Sequence, residues 1–332
     1  MRFHSLLMDA SSPMRRLRRR IPVLEKLLRL ELNDSEYESV GIACARSHVE
    51  LGTFYHWYLQ KLLISQHVRR LDKTSTLDMV KGMDRTDYTA LHVAARNPRG
   101  LIVAIPHHGH YILSIVALAE CLRASREVLV FYGAPQTHAG NEIFDLLYAQ
   151  LFGDAGSRVG VIHDTRAGMV RAIRGLQNGA AVVIMPDVYK NEHDTFLVPF
   201  CGRPLNVMFG TAALARRTGA AILPMVSRPL ARGLGFDSAF GAVIEYPYGN
   251  EDAGQATPIE TAHSDYRATL QMFRMFETCM ETSIVYWQYV RSHYMRDAEF
   301  PELSPDALKA VAELFFVDPR VHIDLHNPIR LD

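Results

Sequence analysis

Three histidines fall within four residues, His107, His108 and His110, with Gly109 among them. Close imidazoles admit three chemistries. They can share a transition metal, which then needs further ligands. One of them can act as a general base near neutral pH. Or they are ordinary polar residues of a turn. The residues before them discriminate among these readings. Leu101 to Ile105 is an uninterrupted apolar run with β-branched members, closed by Pro106, and reads as a strand buried on both faces. The apolar positions 112, 115, 116, 119 and 122 follow with helical spacing. The histidines therefore occupy a turn at the carboxyl end of a buried strand, where open α/β sheets build their sites. That position favours catalysis over metal. The remaining histidines, among them His138, His163 and His193, offer no second ligand pair, and no metal is expected.

Two further stretches could contribute. Val182 to Met185 is a second buried strand, closed by Pro186 and Asp187, so Asp187 is expected at the same sheet edge as His107. A turn or helix-cap carboxylate is the plainer reading. Val198 to Pro204 reads as a loop punctuated by proline and glycine, and within it Arg203 is a candidate substrate-binding cation. It leads to a helix of small residues opening at Gly210, whose amino end presents N–H groups and positive dipole to an anion or a developing oxyanion. Small residues also let a helix lie close on a sheet.

The elements that must position these residues alternate. Strands are expected at 101–105, 128–132, 158–162, 180–185, 220–226 and 242–246, with helices at 111–123, 141–152, 166–178 and 210–218. A long helical stretch follows over 265–295. Asn178-Gly179 and Thr218-Gly219 are C-terminal stops for two helices. Alternation implies α/β with a largely parallel sheet. Phe54 to Leu63 and Val23 to Leu30 keep helical spacing, the latter behind a basic cluster of Arg15, Arg16, Arg18, Arg19 and Arg20. The expected organisation is a basic N-terminus (1–20), a helical part (21–99), an α/β core (100–300) and a C-terminal tail (301–332), with the core and its helical lead-in forming one domain.

A formal net charge of zero argues against nucleic acid as a partner. The four dispersed cysteines contain no CxxC, which suits a reducing cytoplasm. No apolar run reaches the length of a spanning helix. Residence in the cytoplasm, with at most peripheral contact at the inner face of a membrane through the basic segment, is the expectation.

Val198 to Pro204 followed by Gly210 to Pro224 resembles the lauroyl/myristoyl lipid A acyltransferase family, within the lysophospholipid acyltransferase superfamily. Val182 to Asp187 is similar to that family's strand ending in Asp-Gln. Tyr286 to His293 resembles its closing Trp-rich helix, and Asn141 to Gly153 its Asn…Asp…Gly segment. The resemblance covers about residues 40 to 295 and implies an acyltransferase-type α/β fold. Aligned on Gly109, the family's His-x-x-x-x-Glu keeps its histidine as His107, but its glutamate becomes Ile112. Gly133 and Gln150 or a neighbour of it stand where the family carries arginines, Val188 replaces the glutamine after Asp187, and no counterpart of the family's hydrophobic N-terminal anchor is expected.

The resemblance implies acyl transfer from a thioester, carried on acyl carrier protein or coenzyme A, with His107 as general base and no resident cofactor. Backbone N–H groups near Gly109 and Gly210 are candidate oxyanion donors. His110 or Asp187 is the expected substitute for the missing carboxylate, and Ile112 should face the position that the glutamate occupies in the family. A carboxylate behind a catalytic histidine matters most when an alcohol is the acceptor. Arginines pair with phosphates. Their losses point to a small amine-like or hydroxyl acceptor without phosphate, as in specialised-metabolite biosynthesis. A lipid A or lysophospholipid-type O-acyltransferase with a substitute acid, and an inactive acyl- or carrier-protein-binding module, are the alternatives.

Overall fold

The computed structural model describes residues 32–68, 70–135, 142–188, 195–230, 235–245 and 258–295. The basic N-terminus, the 23–30 helix, the C-terminal tail, Asn141, His138 and His193 lie outside the described residues. The chain is a mixed α/β domain. Four helices come first: α1 (Asp34–Ser47), α2 (Leu51–Val68), α3 (Lys73–Met83) and α4 (Thr89–Ala94). The alternating core runs β1 (Leu101–Ala104), α5 (Tyr111–Leu122), β2 (Val128–Tyr132), α6 (Glu142–Phe152), β3 (Val159–His163), α7 (Arg166–Gln177) and β4 (Ala181–Ile184). A hairpin of β5 (Thr195–Phe200) and β6 (Arg203–Met208) follows, then α8 (Gly210–Thr218), β7 (Ala221–Pro229) and β8 (Phe236–Phe240). The described residues close with α9 (Pro258–Met280), a 3₁₀ turn (Ile284–Tyr286) and α10 (Val290–Met295).

The sheet order is β3-β2-β4-β1-β7-β8, parallel throughout except for β8 at the edge. Because successive strand side chains point to opposite faces, each central strand feeds two cores. Ile102, Ala104, Val182 and Ile184 face a layer holding α1, α7, α8 and α9. Leu101, Val103, Ala181 and Val183 face a layer holding α3, α4, α5 and α6. Full burial of β1 and β4 follows. Helix α2 belongs to both layers: Phe54, Tyr55 and Trp57 join the first, Ile64 and Val68 the second. It thus passes from one layer to the other, and its middle meets the histidine turn.

Three expectations are corrected. The stretch 198–204 is not a loop but the tip of an antiparallel hairpin, whose turn residues Cys201 and Gly202 both adopt positive φ (52° and 81°), the twist that a two-residue hairpin turn requires. The final strand is at 236–240, not 242–246, where Ile244 makes only an isolated bridge to Ile222. The helix expected over 265–295 stops at Met280, and the chain then becomes extended at Trp287 (ψ 132°) before α10. Among the described residues, no helix is long and apolar enough to cross a membrane.

Candidate active site

Strands β1 and β4 are neighbours, with Ala104 opposite Ile184. Each is followed by one apolar residue, a proline and then a functional side chain: Ile105-Pro106-His107 on β1, Met185-Pro186-Asp187 on β4. Equivalent register and equivalent exits put the two side chains together. His107 Nδ1 lies 2.7 Å from Asp187 Oδ1, and the His107 backbone N–H donates to Oδ2 at 2.8 Å. The indole of Trp287 donates to the same Oδ2 at 2.7 Å. Asp187 is wholly buried and the His107 side chain is 11% exposed.

An ionised carboxylate only accepts hydrogen bonds, so Asp187 selects the tautomer with the proton on Nδ1. That leaves the lone pair on Nε2, which has no hydrogen bond from the described residues. The ring is held laterally by Tyr111 and Tyr289, at centroid distances of 4.8 and 5.2 Å. The extended segment after α9 locks the turn from outside. Gln288 N–H donates to the His107 carbonyl at 2.9 Å, and Gly109 N–H donates to the Tyr286 carbonyl at 3.1 Å. Gly109 has φ +59°, and a Cβ there would stand 2.6 Å from the Ser227 carbonyl oxygen, so only glycine fits.

The three histidines diverge. His108 is fully buried; its Nδ1 lies 2.6 Å from the Ser227 carbonyl and its Nε2 2.7 Å from that of Ser283, joining β7 to the segment after α9. Burial holds its pKa below the usual histidine value, against the opposing pull of the two carbonyls. His110 stands immediately before α5 between the rings of Trp57 and Phe236, and burial pushes its pKa down to about 3. Of the two residues considered as the orienting acid for His107, Asp187 makes the contact. His110 packs in the core.

Ile112, on the first turn of α5, is half-buried and lines a small apolar pocket of about 50 Å³ between α2, α5 and α6. Lys61, Ile64, Val68, Phe144 and Leu147 complete much of its wall. Tyr111 connects pocket and dyad, because its ring packs on His107 and also lies 5.4 Å from Lys61 Nζ. Burial, with the charge of Arg291 second, lowers the Lys61 ammonium to about 8. Arg203 is buried beneath α10, donating to the carbonyls of His293 and Tyr294 at 3.2 and 3.3 Å, with its guanidinium 4.9 Å from the Tyr294 ring centroid. Its bonds go to α10 rather than to the His107–Asp187 pair. The N–H of Gly109 is committed to Tyr286, and Gly210 opens α8 with nothing within 4 Å of where a Cβ would stand.

Sequence reasoning placed Trp287 on a helix and so missed its bond to Asp187. It also overlooked Tyr111, Tyr289 and Lys61. For Lys61 a signal existed, since it is a lone cation in the apolar run Phe54 to Ile64.

A family model for bacterial lipid A biosynthesis acyltransferases matches residues 61–292. No curated protein matches the chain.

Proposed function

Because the chain belongs to the bacterial lipid A biosynthesis acyltransferase family, we propose that it moves an acyl group from a thioester of acyl carrier protein or coenzyme A to a small amine-like or hydroxyl acceptor, with His107 as general base. The observation that carries this reading is the 2.7 Å contact of Nδ1 with Asp187, which leaves Nε2 as the basic nitrogen. In the reaction so drawn, the acceptor's oxygen or nitrogen attacks the thioester carbonyl and Nε2 removes its proton. Asp187 keeps the ring in the correct tautomer and stabilises the imidazolium that results. Collapse of the tetrahedral intermediate breaks the C–S bond, and the proton on Nε2 passes to the departing thiolate. Tyr111 and Tyr289 limit the ring's rotation.

The apolar pocket suits the acyl chain. Lys61, the single Lys or Arg among its described lining residues, stands near the Tyr111 end, beside His107, where the polar head of an acyl group would lie. Acyl transfer by this route needs no cofactor. Ile112, in place of the motif glutamate, forms pocket wall rather than a proton relay.

Asp187 also favours a second reading. A lone histidine would suit an amine that attacks before losing its proton, but a histidine backed by a buried carboxylate can serve an alcohol as well. A lipid-type O-acyltransferase with Asp187 as the substitute acid fits the same geometry. Mass spectrometry of products from a panel of acyl thioesters, offered to amines and to alcohols, separates the two. Turnover that survives in His107→Ala would sink both, and retention of acyl ligand without any turnover would mark an inactive binding module.

A further inference from the structure

A second polar cluster stands at the same edge of the sheet, at the ends of β2 and β3. Tyr132 and His163, the last residues of these strands, are paired in register. Both reach Asp145 on α6: the Tyr132 hydroxyl donates to Oδ1, and His163 Nε2 lies 3.1 Å from the same oxygen. The Tyr132 ring meets His163 edge-on at 5.4 Å and Phe144 edge-on at 5.5 Å. Phe144 also lines the apolar pocket, so the cluster adjoins the pocket's outer wall.

The hydrogen-bond inventory fixes what this cluster offers. Two donors already converge on Oδ1. Oδ2 receives no hydrogen bond from the described residues, and the Asp145 side chain is 40% exposed. With Nε2–H directed at Asp145, His163 presents Nδ1 as a lone pair, and its side chain is 32% exposed. Tyr132 stays protonated, because burial, with its bond to Asp145 second, raises its pKa. The open positions are therefore acceptors, and one of them carries negative charge. Asp164, one residue beyond His163, adds a carboxylate that receives the Ala134 N–H at 2.9 Å, while the nearby cation Arg166 is exposed at the start of α7. Such a face repels phosphate and suits an ammonium group. In the sheet order, β2 and β3 lie two and three strands from β1, which places Tyr132 roughly 10 Å and His163 roughly 14 Å along the edge from His107.

The geometry points to Tyr132, Asp145 and His163 as an acceptor-docking subsite that takes an ammonium group roughly 10–15 Å along the sheet edge from His107. This rests on the acyl-transfer reading for the identity of the reacting end, but the binding of the charged end can be measured without turnover. The probes are α,ω-diaminooctane and n-octylamine, which differ by one ammonium, with binding followed by calorimetry and saturation-transfer NMR on the full chain. Wild type should bind the diamine tighter than the monoamine, by up to about fivefold, the upper end for a partly exposed ion pair, and the preference should shrink with added salt. Asp145→Asn should abolish the preference and raise KM for the diamine, with little change in kcat. His107→Ala should keep the preference and lose turnover. Equal binding of the two amines by wild type, or an undiminished preference in Asp145→Asn, overturns the subsite. The wild-type comparison and its salt dependence decide the matter even if the variant fails to fold. Preference without turnover of the diamine, or of any alcohol in the acceptor panel, would instead leave the subsite standing and remove the acyl-transfer reading.

Discussion

The sheet edge carries two Asp–His pairs, and their surroundings differ more than their composition. Asp187 is wholly buried, receives three N–H donors and holds a histidine that is 11% exposed. Asp145 and His163 are 40% and 32% exposed, and Asp145 receives one hydroxyl besides the imidazole. In the first pair the protein has removed every alternative orientation, so one nitrogen is left to act. The second pair, on partly exposed side chains, keeps a carboxylate oxygen and a ring nitrogen that no described residue bonds, which suits recognition. Burial, rather than residue type, separates a pair that can do proton transfer from one that can hold a ligand.

The sharpest way to break this contrast is to remove the buried pair. His107→Ala should reduce turnover by about a thousandfold or more. Asp187→Asn should approach the ten-thousandfold loss seen when such a carboxylate is neutralised in a serine protease. Asparagine would also offer an N–H where His107 N–H and Trp287 N–H now donate, so a thermal melt must accompany the assay. A fall of less than tenfold in Asp187→Asn would mean that His107 does not need its orienting acid.

Much of that buried pair was readable beforehand. Ile105-Pro-His107 and Met185-Pro-Asp187 each end a continuous apolar run, and parallel neighbours bring equivalent ends together. The strands and helices of the alternating core were legible for the same reason, because each carries a clear period. Trp287 was not. Its neighbours Phe276, Met280 and Ile284 continue a helical pattern, yet the helix ends at Met280 because the segment after it pairs with the histidine turn, with Trp287 opposite His108. A long-range backbone contact overrides local period, and no local signal announces it. The hairpin at 195–208 was hidden by its prolines and by a non-glycine residue, Cys201, at positive φ. The Tyr132–Asp145–His163 cluster joins three consecutive elements, but no motif marks its residues, and the in-register pairing of β2 with β3 is what brings them together.

Trp287→Phe tests how far the buried pair depends on its third donor. Removing one bond to a buried carboxylate is worth about 1–3 kcal/mol, so activity should fall by roughly ten- to a hundredfold with the ring packing retained. An unchanged rate would show that the His107 contacts alone fix Asp187. Ile112→Glu sharpens the same point. Restoring the motif glutamate should give no gain in rate, because Nδ1 is already bonded, and it should lower the melting temperature by placing a carboxylate in an apolar wall. A higher rate would show that a carboxylate at position 112 can still reach His107.

Lys61 supplies the pH test. Its folded pKa, lowered to about 8, lies below the unfolded value near 10.5, so between these values the unfolded chain binds more protons and stability rises with pH. Lys61→Met should therefore be more stable than wild type at pH 7, by about 1–3 kcal/mol, and should lose the rise between pH 8 and 10.5 in denaturant titrations. If the ammonium serves the acyl head, wild-type activity should decline above pH 8 and the variant should lack that limb. A stability curve that is flat in wild type over this range would mean that Lys61 is better solvated than its burial implies.

The smallest effect should come from the outer pair. In a double-mutant cycle of Asp145→Asn and His163→Gln, read by urea unfolding, the coupling energy should not exceed about 1 kcal/mol. Partly exposed ion pairs return little, since water competes for both partners and fixing the side chains opposes the gain. The Tyr132 hydroxyl adds to the hold on Asp145 whether or not His163 is present, which lowers the coupling further. Raising the salt concentration should reduce it again. The corresponding cycle on His107 and Asp187 should be several times larger, because there each single change strands a buried partner. Equal coupling in the two cycles would show that exposure does not separate the pairs, and the division of labour between catalysis and docking would lose its physical basis.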